Sequence, residues 1–133
     1  MIVADTNTIA YLLIAGGRSL QARKVLRRDP EWAAPLLWRS EFRSVIALYL
    51  RRKLMSLAQA LQVTEEAENL MRGSEYEVTS SRVLSLASES QCSAYDCEFV
   101  ALAQELGVPL VTSDGRILSE FPTTAVSPED FAP

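Results

Sequence analysis

Asp5, Glu41, Asp96 and Asp114 each stand where a folded chain ordinarily places an apolar or neutral residue. Asp5 ends the apolar opening Met1-Ile2-Val3-Ala4, and Asp114 follows a second apolar run, Val108 to Val111, through Thr112 and Ser113. Glu41 interrupts the apolar side of a helical stretch that it shares with Trp38, Val45 and Leu48. Asp96 opens another, on a stripe with Phe99, Val100 and Ala103. Carboxylates gathered in one place repel each other, and protons or cations relieve that repulsion. A hard cation such as Mg²⁺ suits them, because it takes oxygen ligands and keeps several waters. The chain has no histidine, which removes the commonest general base and any Ser-His-Asp triad. Metal-assisted chemistry at an all-oxygen site, with Mg²⁺ or Mn²⁺, is therefore the economical enzymatic reading.

Each acid also has a plainer use. Asp5 can cap a helix that starts at Thr6-Asn7. Asp114-Gly115 is a common turn dipeptide. Asp96 lies three residues after Ser93, as in a capping box with Asp in place of Glu. Glu41 is the hardest to explain this way, since a buried carboxylate without a partner is costly. Its structural alternative is a salt bridge to Arg39, Arg43 or Arg52.

The elements that must position these residues follow from periodicity and punctuation. Ile2–Ala4 reads as a short buried strand and Thr6–Ala15 as a helix stopped by Gly16-Gly17. Leu20–Arg28 is helical and closes at Asp29-Pro30. Trp32–Ala34 is a strand, and Pro35 is suited to be the first residue of the helix Leu36–Arg52. Ser56–Met71 is a further helix, Tyr76–Thr79 alternates like a strand, and Ser81–Ser90 and Tyr95–Leu106 are helical. Gly107 followed by Pro109 ends that last helix; Val108–Thr112 and Thr124–Val126 are the remaining strands. Short apolar strands alternating with helices predict an α/β fold, a parallel β-sheet flanked by helices on both faces. Ligands of such sheets bind beyond the carboxyl ends of the strands, where Asp5 and Asp114 both fall.

At 133 residues one compact domain is expected, and 48% hydrophobic with 23% charged residues is ordinary globular composition. No apolar run approaches the ~20 residues of a membrane span, and no signal peptide is visible, so a soluble cytoplasmic protein is expected. The two cysteines, Cys92 and Cys97, form neither a disulfide framework nor a zinc site and read as small buried apolar residues. The net charge is −4, but its distribution is uneven. Arg18, Arg23, Lys24, Arg27, Arg28, Arg39, Arg43, Arg51, Arg52 and Lys53 all lie in the first half. Such a face can be solvated helix surface, a contact for phosphates, or a contact for an acidic protein.

Four segments together resemble the PIN-domain ribonucleases: Ile2-Val3-Ala4-Asp5-Thr6-Asn7, Trp38-Arg39-Ser40-Glu41, Tyr95-Asp96-Cys97 with Val100-Ala101-Leu102-Ala103, and Pro109-Leu110-Val111-Thr112-Ser113-Asp114. Within that family the chain is similar to the toxins of VapBC-type toxin–antitoxin pairs, in length and in the order of the acids. The resemblance implies a single nuclease domain over residues 1–133 that cleaves RNA with Mg²⁺ or Mn²⁺ held by Asp5, Glu41, Asp96 and Asp114. Asp5 and Asp96 would be direct ligands. Glu41 and Asp114 would ligate directly or through water, and four carboxylates suit one metal or two. Asn7 and Thr112 are suited to orient those carboxylates, or simply to cap and stabilise turns. Arg116 reads as a surface arginine, with phosphate contact as its functional alternative. The implied partners are RNA, a cognate antitoxin and a second copy of the chain, whose interface the apolar helices Leu36–Leu50 and Leu54–Met71 can supply if they are not core.

Two other classes compete. A non-catalytic module of the same fold would use its arginine-rich helices to hold RNA or protein, and the intact acid quartet argues against it. A haloacid-dehalogenase-type phosphatase would need an Asp where Asn7 stands. A response-regulator receiver would need a late lysine, and none follows Lys53.

Overall fold

The computed structural model describes residues 1–133. The chain runs β1 (Ile2–Ala4), α1 (Thr6–Leu13), α2 (Ser19–Arg28), β2 (Trp32–Pro35), α3 (Leu37–Arg51), α4 (Leu57–Met71), β3 (Glu75–Tyr76), α5 (Ser80–Ser88), α6 (Ala94–Leu106), β4 (Leu110–Val111), α7 (Gly115–Glu120), β5 (Ala125–Val126) and α8 (Pro128–Phe131). All strand pairs are parallel, in the order β3-β2-β1-β4-β5. Every residue of β1, β2 and β4 is buried, as expected of strands covered on both faces. The chain steps outward from β1 through β2 to β3, then returns across the sheet to β4 and β5. Right-handed crossovers therefore place α1–α4 on one face and α5–α7 on the other. The reversal of direction falls between β1 and β4, the switch point where open α/β sheets bind ligands.

The register fixes what meets there. Val3 pairs with Leu110 and Ala4 with Val111, so Asp5 comes level with Thr112 just beyond the strands. The core beneath is continuous: α6 packs on β1, β2 and β4 with Phe99, Val100, Ala101, Leu102 and Ala103 all buried. From α3, Trp38 and Phe42 are fully buried and meet edge-to-face at 5.7 Å. The Trp38 indole donates to Glu75 Oε1, whose carboxylate also takes Arg39, so α3 is tied to β3 through a partly buried ion pair. Cys92 and Cys97 are free and buried, in keeping with their apolar reading.

Several local expectations are corrected. Pro35 ends β2 instead of opening α3. The β3 side of the ladder takes its N–H groups from Ala34 and Leu36, so a proline between them forfeits no hydrogen bond to β3. The third strand is Glu75–Tyr76 and not Tyr76–Thr79, since only Glu75 and Tyr76 pair with Ala34 and Pro35. Asp114-Gly115 is no isolated turn: Asp114 caps α7 by accepting from the Ile117 N–H. The helix expected over Thr6–Ala15 ends at Leu13. The apolar helices α3 and α4 are only partly core. Ile46, Ala60, Ala67 and Met71 are buried, whereas Leu48, Leu57 and Leu61 stay exposed, as does Leu54 between the two helices.

Candidate active site

Asp5 is the most buried of the four acids, with 9% of its surface exposed. It is the N-cap of α1, and its Oδ1 accepts from the backbone N–H and the hydroxyl of Thr8, at 2.8 and 2.7 Å. Its Oδ2 accepts from the Thr112 hydroxyl. Thr112 also takes the Asp114 N–H, at 3.0 Å, so one side chain couples the two acids across the switch point. The capping role and the site role of Asp5 are therefore one arrangement. Burial pushes the Asp5 carboxyl above its ordinary pKa; the Thr112 and Thr8 bonds oppose this, and the Asp114 charge adds to it.

Glu41 forms no ion pair. Arg39 turns away to Glu68 and Glu75, and Arg43 and Arg52 make no salt bridge. Glu41 instead accepts from the Thr6 hydroxyl at 2.8 Å, which joins α3 to the first turn of α1. Burial raises its pKa, the Thr6 bond works against this, and the charges of Asp96, Asp5 and Glu98 raise it further. The apolar side of α3 around Glu41 is thus a cavity wall as much as a core face: Val45 and Leu48 line the same space. Asp96 sits half-buried in the first turn of α6, its N–H held by the Ser93 hydroxyl at 3.1 Å, and its carboxylate accepts no hydrogen bond from the protein.

All four acids line one cavity of about 350 Å³, together with Thr6, Asn7, Ser44, Phe99 and Ile117. No lysine or arginine is among its lining residues. Asn7 is exposed at this cavity and donates no hydrogen bond to the carboxylates, whereas Thr112 does. Arg116 is exposed and donates to the Gln91 carbonyl at 3.2 Å. The hydroxyls that sequence reasoning passes over are Thr6 and Thr8. Thr8 bonds back to the capping Asp5 three residues earlier, whereas Thr6 reaches Glu41, 35 residues away, a partner that no local pattern indicates.

The donor set is all oxygen, which suits Mg²⁺ and Mn²⁺. No three acidic side chains close into a ready-made cage. That openness fits an ion held by one or two carboxylates and several waters better than a dedicated protein cage. Asp96 keeps both oxygens uncommitted, Glu41 and Asp114 one each, and Asp5 one spare lone pair, on Oδ2. The residues present therefore fit a hydrated hard cation.

Comparison with known proteins shows what the chain is similar to. A ribonuclease of Pyrobaculum aerophilum, VapC3, is 27% identical over 124 residues, covering 91% of this chain and 95% of that protein. A toxin–antitoxin complex from Klebsiella pneumoniae contains a chain of the same fold, with a TM-score of 0.71, 22% identity, and coverage of 96% of this chain and 98% of that one. VapC20 of Mycobacterium tuberculosis, described as a toxin that cleaves the sarcin-ricin loop, aligns with a TM-score of 0.64 and 20% identity, over 91% of this chain and 95% of that one. The PIN domain model matches residues 2–122, from the first residue of β1 past the end of α7, and the chain belongs to the PIN domain family.

Proposed function

We propose that this protein is a metal-dependent endoribonuclease and the toxin of a toxin–antitoxin pair, hydrolysing RNA phosphodiesters at the Asp5–Glu41–Asp96–Asp114 cavity. The observation that carries the reading is convergence: four carboxylates from four separate elements line one cavity at the switch point, with no cationic side chain among them. Helix capping accounts for Asp5 and Asp114 one at a time, but not for Glu41 and Asp96 facing the same space without a cationic partner. A relative named as a ribonuclease over nearly its whole length, and toxin–antitoxin proteins among the fold's neighbours, support the same reading.

Bound at these oxygens, Mg²⁺ or Mn²⁺ supplies a lowered water pKa and polarisation of the phosphoryl oxygens near neutral pH. The chain's own residues do the positioning. Thr8 and Thr112 fix both oxygens of Asp5, and Thr6 fixes one oxygen of Glu41, so neither carboxylate swings away from the cavity. Asp5 and Asp96 are assigned as direct ligands. Glu41 and Asp114, each with a free oxygen, are assigned to orient the attacking water. In the reaction the water oxygen bonds to phosphorus, one P–O bond to ribose breaks, the water's proton passes to a carboxylate, and the leaving oxygen takes a proton from solvent.

An antitoxin would silence the site most simply by placing an arginine among the carboxylates, where bidentate pairing competes with the metal. The exposed leucines of α3 and α4 are offered as a homodimer surface. No helix is long and apolar enough to cross a membrane, and the cytoplasm, where RNA is, is the proposed place of action. The competing reading is a non-catalytic PIN-fold module that holds RNA or protein through its arginine-rich helices. Incubating purified protein with RNA in Mg²⁺, Mn²⁺ or EDTA and sequencing the ends separates the two. New ends that need the cation and vanish in Asp96→Asn support the nuclease; intact RNA in every condition supports the module.

A further inference from the structure

A second cavity, of about 320 Å³, lies beside the acid cavity and shares Asn7, Val45 and Leu48 with it. It runs along α1 toward Gly16-Gly17 and contains Tyr11 and Tyr49. Arg18 is the only charged residue that lines it. The Arg18 guanidinium lies over the Tyr11 ring, 5.3 Å from its centroid. Its Nη2 donates to Ser113 Oγ at 2.7 Å, one residue before Asp114, and to Glu129 at 3.1 Å. Nε and Nη1 make no hydrogen bond, and the ion pair with Glu129 is solvent-exposed on both sides, the kind that contributes little.

We propose that this groove is a ribonucleotide subsite: a base beside the scissile phosphate lies in it against Tyr11 and Tyr49, and Arg18 takes the adjoining phosphate. The inference rests on the nuclease reading of the acid cavity. Two features select RNA over an extended peptide. The groove shares Asn7, Val45 and Leu48 with the acid cavity, so its occupant lies next to the strand that is cut. It also pairs aromatic rings with a lone arginine fork, the combination that holds single-stranded nucleic acid through its bases and backbone together. Arg18 further answers a difficulty of the acid cavity, whose four carboxylates repel an incoming phosphate and whose lining offers no cationic side chain. Beyond Ile14 and Tyr49 the surface continues into a cavity that carries Gln59, Gln62 and Glu66 and no cation, so an anionic strand is held at the near end only.

The test uses the full chain. Binding of a 5′-fluorescein single-stranded RNA is followed by anisotropy in Mg²⁺ across a salt series, on the Asp96→Asn background so that the RNA survives. Hydrolysis of bis(p-nitrophenyl) phosphate, a diester with no adjoining phosphate for Arg18, is followed in Mn²⁺ without that background change. Arg18→Gln should weaken RNA binding roughly tenfold. It should lower the slope of log K against log salt by about 0.7, the share of one single-strand phosphate contact. Diester hydrolysis and the melting temperature should be unchanged. Arg18→Lys should restore the salt slope and only part of the affinity, and Tyr11→Ala should weaken binding with the slope intact. Unchanged affinity and slope in Arg18→Gln, as for a groove that takes a peptide, overturn the proposal. So does an equal fall in RNA binding and diester hydrolysis, which makes Arg18 a support for Asp114 through Ser113. Absence of RNA binding in the parent overturns it too; the nuclease reading falls with it only if wild type also leaves diester and RNA uncut.

Discussion

Replacing Asp5 separates what the fold needs from what the chemistry needs. Asp5→Asn keeps the capping oxygen for Thr8, and Asn caps helices as well as Asp. Its amide nitrogen then faces the Thr112 hydroxyl, which can rotate to accept instead of donate. Against that adjustment stands the removal of a buried charge that burial and Asp114 both disfavour. Stability without metal should change by less than about 1 kcal/mol, in either direction. Asp5→Ala is different. It loses the cap, about 1 kcal/mol. It also orphans the buried Thr112 hydroxyl, about 1–3 kcal/mol, while the Thr8 hydroxyl still has the Val111 carbonyl. With relief of the buried charge subtracted, a net loss of about 2 kcal/mol is expected. For a chain of 133 residues, at about 4 °C per kcal/mol, the alanine variant should melt roughly 8 °C low and the asparagine variant within about 4 °C of wild type. Both should lose RNA cleavage. Thermal melts in EDTA, paired with cleavage assays in Mg²⁺, measure the two effects separately. An asparagine variant as unstable as the alanine variant would refute the reasoning, since the charge itself would then hold the site together.

Three further outcomes follow from the same geometry. Glu41→Gln should keep the Thr6 bond, melt at or above wild type in EDTA and fail to cleave RNA; low melting with activity retained would make Glu41 structural. Mn²⁺ at a hundred times its dissociation constant should stabilise wild type by about 2.7 kcal/mol and leave Asp96→Asn nearly unaffected, as scanning calorimetry can test. Glu75→Gln should destabilise by about 1–2 kcal/mol, discounted because Arg39 is about a third exposed. Arg39 holds the Glu75 pKa below its usual 4.5, so the wild-type advantage is full above that value and is lost as pH falls through the depressed one. Urea titrations across that range should show the two proteins converging in acid.

The sequence carries the architecture well where an element is long or fully apolar. β1, β2, β4, β5 and the helices through α6 are legible because the run length or the 3.6-residue period exceeds the noise of local turns. The misses are short. β3 is two residues, and its pairing depends on where β2 ends, which Pro35 disguises as a helix start. The six-residue α7 and four-residue α8 have too few turns for a period, and each is held by its cap, Asp114 or Ser127. For the site, the four acids stand out because each breaks an apolar pattern. Thr112 stands out by its place beside Asp114. Thr6 and Thr8 do not, because a threonine in a first helical turn is ordinary and only the fold brings Thr6 to Glu41, 35 residues away. The groove with Arg18 is likewise invisible in sequence, where that arginine is one of many in the first half of the chain.

The nuclease role of the four carboxylates is tested most directly by the rate at which the purified protein cleaves single-stranded RNA in Mg²⁺, compared among wild type, Asp5→Asn, Glu41→Gln, Asp96→Asn and Asp114→Asn, each shown to be folded by its melt. The expected result is cation-dependent cleavage by wild type, abolished by EDTA, and a fall of at least about a hundredfold in every variant, the scale of losing one positioned catalytic group. Cleavage that persists in EDTA, or four folded variants as active as wild type, would contradict it.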